Sequence, residues 1–337
     1  MIHLRERNMK RLWRILLAAL SLACFAAPAM AQGAYPNRPV RIIVPYAPGG
    51  LTDVVARLYS EQLRKILGQA TYVDNKPGAS GIIAIEEMAR SKPDGYTLMI
   101  GNISTNGLTP VLLAKKMRID YDKDVQIVAR LVDVPVFFLA TTTNFAPKTF
   151  AEFLAFAKAN PGKVRYASAG VGSYQQINTE ILAKRAGLSM SHIPFKDGGA
   201  PILRDLVNGD VQVSWYNVAN PVAMMKAGKL RALAVAADKR LAQWPDVPTI
   251  AELGFPDVRP IQWSAVYAPA GTPSEIIETL HAAFDKATNT SELQDAFEKG
   301  GIIAAPKSSL ANVRIWIRKE MSDWKRVVDE LRITLED

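Results

Sequence analysis

Cysteine is almost absent. The one residue of this type, Cys24, lies inside an N-terminal segment that reads as removable. The chain beyond it therefore has no disulfide, no thiol nucleophile and no cysteine metal ligand. Histidine is nearly as scarce. Beyond that segment only His192 and His281 remain, neither in an H-E-x-x-H setting, so no zinc site is expected. No G-x-S-x-G nucleophile elbow and no G-x-x-x-x-G-K-[ST] phosphate loop occurs. Gly170-Val171-Gly172 lacks the third glycine of a dinucleotide fingerprint. Acidic residues are plentiful, yet no spacing marks a general acid–base pair. Catalysis is therefore not expected, nor is a metal or other cofactor. Long hydrophobic runs are missing after Ala27, as are dense basic runs and low-complexity tracts.

The N-terminal segment has the three parts of an export signal. Arg5, Arg7, Lys10, Arg11 and Arg14 form a basic region, and Ile15 to Ala27 is an apolar core too short to span a bilayer comfortably. Ala29-Met30-Ala31 is a small-residue cleavage site, so residues 1–31 are expected to leave after Ala31, with the mature chain starting at Gln32. A retained signal anchor is the alternative. Ser21-Leu22-Ala23-Cys24 is a poor lipoprotein site, and Cys24 is taken as signal filler. Export without cysteine points to a bacterial periplasm. The formal charge of +9 falls to +5 once the signal is gone. That excess is too modest and too scattered for nucleic acid. A positive field would help collect an anionic small molecule, though an ordinary soluble surface fits equally well. The remaining length suits two domains.

Strand-like and helical runs alternate along the chain, which argues an α/β fold. Val40 to Val44 is a β-branched run, and Pro45 to Gly50 a proline–glycine loop. An amphipathic run follows with Leu51, Val55, Leu58, Leu63 and Ile66 on its apolar side. Strands are expected at Thr71–Asp74 and Tyr96–Ile100, the latter followed by a polar turn 101–106, with a helix over Ile82–Arg90 between them. Gln126 to Ala140 holds two apolar runs split near Pro135. The opening pattern then returns: a strand Val164–Ser168, a glycine loop 169–173, and a helix Tyr174–Ala186 closing at Gly187. Both helices end in two cations before a glycine. Thr149/Glu152, Thr249/Glu252 and Thr272/Glu275 have capping-box spacing, the last with Pro273 at the first helical position. Leu230–Ala236 reads as a strand, Glu275–Thr288 as a helix bearing His281, and Leu310–Leu331 as a long terminal helix. No flexible linker is evident, so two domains imply that the chain crosses between them more than once. Two strand–glycine loop–helix units offer two helix N-termini, each a ready site for an anion.

Several loop motifs in a fixed order resemble one family. They are 35–40 (YPNRPV), 45–53 (PYAPGGLTD), 75–81 (NKPGASG), 92–98 (KPDGYTL), 205–209 (DLVNG), 228–235 (GKLRALAV), 246–249 (DVPT) and 268–273 (APAGTP). In these the chain resembles the Bug-type, TctC-like extracytoplasmic receptors of tripartite tricarboxylate transporters. The resemblance implies a type II-like periplasmic-binding-protein fold, with two α/β lobes around a central ligand cleft. It implies lobe 1 from 32–132 plus 255–337 and lobe 2 from 133–254. It further implies capture of a small organic carboxylate, aromatic or dicarboxylic, by a monomer that delivers it to membrane permease subunits. Presentation of the ligand to a membrane kinase is one alternative, and an exported enzyme on the same scaffold another.

On this reading Tyr46, Pro48, Gly49, Gly50 and Thr52 are ligand-binding candidates, because loop, helix end and family motif coincide. Thr52 and Asp53 also suit N-caps, and capping is favoured for Asp53, whose charge would repel a carboxylate. Gly170, Gly172, Ser173 and Gln176 are the matching set in the second lobe. Gln176 stands where the family commonly has histidine, and Ser173/Gln176 also has capping-box spacing. Ser104 and Asn106 fall in the family's cleft-lining loop, or form a local turn. Lys196 and Asp197 replace a Lys-Gly pair, and the acid either suits a ligand amine or hydroxyl or is merely solvated. Tyr216, beside Trp215 and near a Phe-Asp of relatives, favours an aromatic or neutral-tailed acid. Trp215 and Trp263 are each either cleft wall or core.

Overall fold

The computed structural model describes residues 35–195, 199–218 and 220–333. The chain divides at Asn37: residues from Arg38 onward form one compact unit, and of the segment before it only Tyr35, Pro36 and Asn37 are described. The expected signal segment, with Ala31 and Gln32, lies outside the described residues, as do Lys196 and Asp197.

The strands are β1 (Val40–Val44), β2 (Thr71–Asn75), β3 (Thr97–Asn102), β4 (Val125–Val134), β5 (Val136–Thr141), β6 (Arg165–Ser168), β7 (Ser191–Pro194), β8 (Val213–Asn217), β9 (Leu230–Ala236), β10 (Gln262–Pro269) and β11 (Ile303–Ala304). Helices of eight or more residues are α1 (Leu51–Leu67), α2 (Ile82–Ala89), α3 (Phe150–Ala159), α4 (Tyr174–Ala186), α5 (Gly199–Asn208), α6 (Ser274–Thr288), α7 (Ser291–Gly300) and α8 (Leu310–Leu331).

Two mixed sheets form, one per lobe. The first has the order β11-β4-β10-β3-β1-β2, and the second β7-β6-β8-β5-β9. Parallel pairing of β1 with β2 and β3 requires long connections, which α1 and α2 supply. In the second sheet β6 pairs in parallel with β7 and β8, with α4 and α5 as the connections. The chain changes sheets at Pro135, between β4 and β5. Proline has no N–H to continue a ladder, so one long apolar run is divided between two lobes. It returns to the first sheet at β10, which pairs antiparallel with both β3 and β4.

Helices α1, α2, α3, α4, α6 and α8 form where the sequence places them, whereas α5 and α7 are not among the expected helices. Val55, Tyr59 and Leu63 of α1 are fully buried at intervals of one turn. Gly68 and Gly187 stop α1 and α4 in the left-handed region, at φ 68° and 64°. The second-lobe core centres on Phe138, whose ring lies 4.7 Å from that of Trp215 and 5.1 Å from that of Phe153. Trp215 is therefore core. The end of α8 ties back to the end of α4, where Arg185 meets Glu330 at 2.9 Å.

Three local expectations change. Strand β3 runs on through Gly101 and Asn102, taking in the start of the predicted turn. Thr249 and Glu252 exchange both capping-box hydrogen bonds, at 3.0 and 3.1 Å, but close an isolated turn rather than open a helix. Thr272 does not cap α6. Its hydroxyl turns back to the carbonyl of Pro269 at 2.8 Å, and extended Pro273 takes the cap position without a side-chain bond.

Candidate functional site

The two glycine loops lie at the carboxyl ends of β1 and β6, where open α/β sheets receive ligands. In the first, Gly49 adopts φ 90° and hands the chain to α1 through extended Gly50. No side chain caps this helix, so its first N–H groups have no intrahelical partner. Ala47, Pro48, Gly49 and Gly50 are exposed. Asp53 accepts hydrogen bonds from Gly49 N, Arg57 Nε and Asn75 Nδ2, each at 2.9 Å. Burial alone would raise its carboxyl, but the Arg57, Gly49 and Asn75 donors hold it below the ordinary aspartate range. Its charge is thus compensated beneath the loop, but Asp53 is not the N-cap favoured from the sequence: Gly50 holds that position, and Asp53 is the third residue of the helix, turned back to Gly49 N.

Thr52 caps nothing. It is buried, and its hydroxyl accepts from Asn102 Nδ2 at 2.9 Å. Asn102 is the hub of this half. Its Oδ1 accepts from the Tyr46 hydroxyl at 2.8 Å and from the N–H groups of Ser104 and Thr105 at 2.9 and 3.3 Å. Thr105 Oγ1 in return accepts from Asn102 N at 3.1 Å, so Asn102 and Thr105 form a capping box over the wide turn Ile103–Leu108. Sequence reasoning missed Asn102. The N-x-x-T spacing was the available signal, but its partners lie 50 and 56 residues away.

Ser104 reaches the other lobe. Its hydroxyl accepts from Tyr174 N, the first residue of α4, at 3.1 Å. Ser80 makes a second crossing, donating to the Val171 carbonyl at 3.2 Å. The turn after β3 and the loop after β6 therefore meet. In that second loop Gly170 and Gly172 have φ 109° and 79°. The expected Ser173/Gln176 capping box does not form. Gln176 Oε1 accepts from Gly172 N at 2.8 Å instead, and buried Ser173 Oγ has no hydrogen-bond partner among the described residues. A buried hydroxyl left unpaired at a helix N-terminus is poised for a ligand atom.

Tyrosines from both lobes gather here. Burial pushes the Tyr46 phenol up to about 12, with Asn102, Thr105 and Ser104 acting against that rise. Burial raises Tyr174 as well, and the nearby phenols of Tyr216 and Tyr46 add to the effect. Burial raises Tyr216 too, with Asn220 acting against that rise; it sits on β8 among Phe137, Leu139 and Ala167. All three phenols stay neutral at physiological pH, and that of Tyr46 donates to Asn102.

Asn106 and Trp263 are placed elsewhere. Asn106 is fully buried, with Nδ2 on the Tyr121 hydroxyl at 2.9 Å and Oδ1 on Thr105 at 2.8 Å. It folds back so closely that a Cβ on Gly101 would lie 1.7 Å from its Oδ1. Trp263 packs edge-on against Trp316 of α8 at 5.0 Å and donates to Glu320 at 3.2 Å. Both side chains hold the first lobe together. His281 packs between the carbonyls of Val128 and Ser308 at 2.8 and 3.0 Å. Among the described residues no cluster of three or more His, Cys, Asp or Glu is placed to hold a metal.

Comparison with known proteins adds to this geometry. The family model for the receptor of the tripartite tricarboxylate transporter family matches residues 55–333. Protein BugT of Bordetella pertussis is 35% identical over 326 residues, covering 96% of this chain and 98% of its own. MatC from Rhodopseudomonas palustris, solved with bound malate, shares 33% identity at a TM-score of 0.79, over 87% of this chain and 100% of MatC. A second R. palustris protein, solved with adipate, shares 30% identity at a TM-score of 0.80, over 89% of this chain and 99% of its own.

Proposed function

We propose a function from one premise: the chain belongs to the receptor family of tripartite tricarboxylate transporters. Members of this family are periplasmic solute-binding receptors. This chain captures a small organic carboxylate, aromatic or dicarboxylic, as a monomer and without metal or cofactor. It delivers the acid unchanged to the membrane subunits of such a transporter. The signal segment is cleaved after Ala31.

The observation that carries this reading is the Ser104–Tyr174 contact, which brings the turn after β3 to the N-terminus of α4. One carboxylate meets the Pro48-Gly49-Gly50 loop and the open N-terminus of α1. There N–H groups and the helix dipole offset the cost of taking its charge out of water. The remainder of the ligand meets Ser104, Gly172, Ser173 and the tyrosines of both lobes. Lys196 and Asp197, which follow β7 in the sequence, remain candidates to meet the ligand. Malate and adipate, held by the two solved relatives, are the first acids to try.

The test is a thermal-shift screen of the mature chain, unfolded and refolded to strip carried-over ligand. It covers mono- and dicarboxylates, aromatic acids and amino acids. A ligand at 100 times its dissociation constant stabilises the fold by about 2.7 kcal/mol. A hit that vanishes when the acid is amidated supports the reading. A hit that amidation leaves unchanged, or one that the protein converts to product, overturns it.

A further inference from the structure

The second-lobe loop rests on a pair of side chains that the function above does not use. Tyr166 and Ser168 lie two residues apart on β6 and so share a face. His192 of β7 is the register partner of Tyr166 and stacks on its ring, with centroids 4.9 Å apart and planes inclined by 16°. From there its Nε2 lies 2.6 Å from Ser168 Oγ. The same oxygen is 3.1 Å from the carbonyl of Gly170 and 3.2 Å from its N–H.

A serine hydroxyl has one proton and two acceptor positions. All three contacts are served in one arrangement: Ser168 donates to Gly170 O and accepts from Gly170 N and from a proton on His192 Nε2. That arrangement defines the histidine tautomer. Burial lowers the His192 imidazole to about 4, so the ring is neutral at physiological pH and carries one proton to place. Gly170 is thereby gripped at both of its backbone polar groups. Its carbonyl also accepts from Ser173 N at 3.2 Å, so the grip passes directly to the residue with the unpartnered hydroxyl.

We propose that His192 is a positioning residue for ligand capture, acting through Ser168 to hold Gly170 and thereby set Ser173 and the N-terminus of α4. The inference rests on reading that loop as half of the ligand site. Removing the Nε2 donor leaves Ser168 free to rotate and to release one of the two Gly170 groups. The loop then samples other conformations before a ligand arrives, and capture weakens without loss of the fold.

The experiment uses the full mature chain and three readouts. His192→Phe keeps the stacking on Tyr166 and removes the donor; His192→Gln returns an N–H to a similar place. Amide hydrogen exchange over residues 169–174 should quicken by roughly fivefold in His192→Phe, the scale of one modest hydrogen bond, and recover in His192→Gln. Affinity for adipate should follow the same order at unchanged melting temperature. The 15N spectrum of wild-type His192 should show the Nε2-protonated tautomer. Unchanged loop exchange in His192→Phe, failure of His192→Gln to rescue it, or an Nδ1-protonated ring overturns the proposal. If the wild type binds neither adipate nor malate, that counts against the choice of ligand, while the exchange and tautomer results still decide the positioning role.

Discussion

Ser104 accepts the backbone N–H of Tyr174 at 3.1 Å, joining the turn after one sheet to the helix after the other across 70 residues of sequence. The bond exists only while the lobes are together, because its two ends belong to different sheets. It therefore bears on how long a ligand is held more than on how fast it enters. Ser104→Ala should raise the dissociation rate of the cognate acid about fivefold to tenfold, the worth of one hydrogen bond of about 1 kcal/mol, with little change in the association rate. Stopped-flow tryptophan fluorescence separates the two rates. A pure association effect would show that Ser104 acts in capture and not in closure.

Gly50 and Gly49 look alike in sequence and differ in backbone. Gly49 has φ 90°, whereas Gly50 has φ −75°, a conformation open to any residue. A Cβ on Gly50 would meet nothing nearer than the Ala47 carbonyl, at 4.0 Å. Gly50→Leu should therefore fold with a melting temperature close to wild type. Its side chain would still stand where a carboxylate approaches the N–H groups of α1. Calorimetric titration should find no binding, or a loss of at least roughly a hundredfold, beyond what one lost contact explains. Full affinity in this variant would place the anion elsewhere.

What could be read beforehand depended on sequence distance. Both strand–glycine loop–helix units, their cationic last turns and their glycine stops were legible, because each is set within a few residues of itself. So was the break at Pro135, where one residue without an N–H divides β4 from β5. Local spacing misled where an alternative partner was nearer or better placed: Gln176 chose Gly172 N over the N–H of Ser173, and Thr272 chose Pro269 O. The distant partners of the polar hubs were not legible, although the N-x-x-T spacing marks a cap at Asn102. Asn102 joins Tyr46 and Thr52, and His192 joins Ser168 at a separation of 24 residues, through strand neighbours that only the sheet order brings together. Nothing in G-N-I-S-T-N marks its first asparagine as the buried hub and its second as the brace for Tyr121.

That difference between the two asparagines can be measured. Asn102→Leu leaves Thr52, the Tyr46 hydroxyl and the N–H groups of Ser104 and Thr105 without their partner in a buried setting. Each orphaned group costs about 1–3 kcal/mol, and relaxation recovers part of the sum, so a loss of roughly 3 kcal/mol in urea unfolding is expected. Ligand binding should weaken as well, because the same side chain holds Tyr46 and the Ser104 turn. Asn106→Leu should destabilise on a similar scale yet leave the affinity of the surviving folded protein near wild type. Equal effects of the two variants on affinity would return Asn106 to the ligand site.

Asp53 ties the site to acid stability, and the sign follows from its surroundings. Burial raises its carboxyl, but Arg57, Gly49 N and the Asn75 amide all favour the anion and together leave it below the ordinary aspartate value. The unfolded chain, with its aspartates near the usual value of about 3.9, then binds more protons than the folded one in the window just below that pH. The stabilisation Asp53 supplies is thus complete above the unfolded value and is lost as pH falls through the lower folded one. Asp53→Asn removes the charge while keeping the shape, and should be less stable than wild type at neutral pH. The gap should narrow steadily from about pH 5 downward, because the wild type alone must protonate this group. Urea titrations of both proteins at matched pH values measure the gap directly. A gap that stays constant through the acid range would mean that Asp53 acts through its hydrogen-bond geometry alone, which the asparagine side chain would have failed to copy.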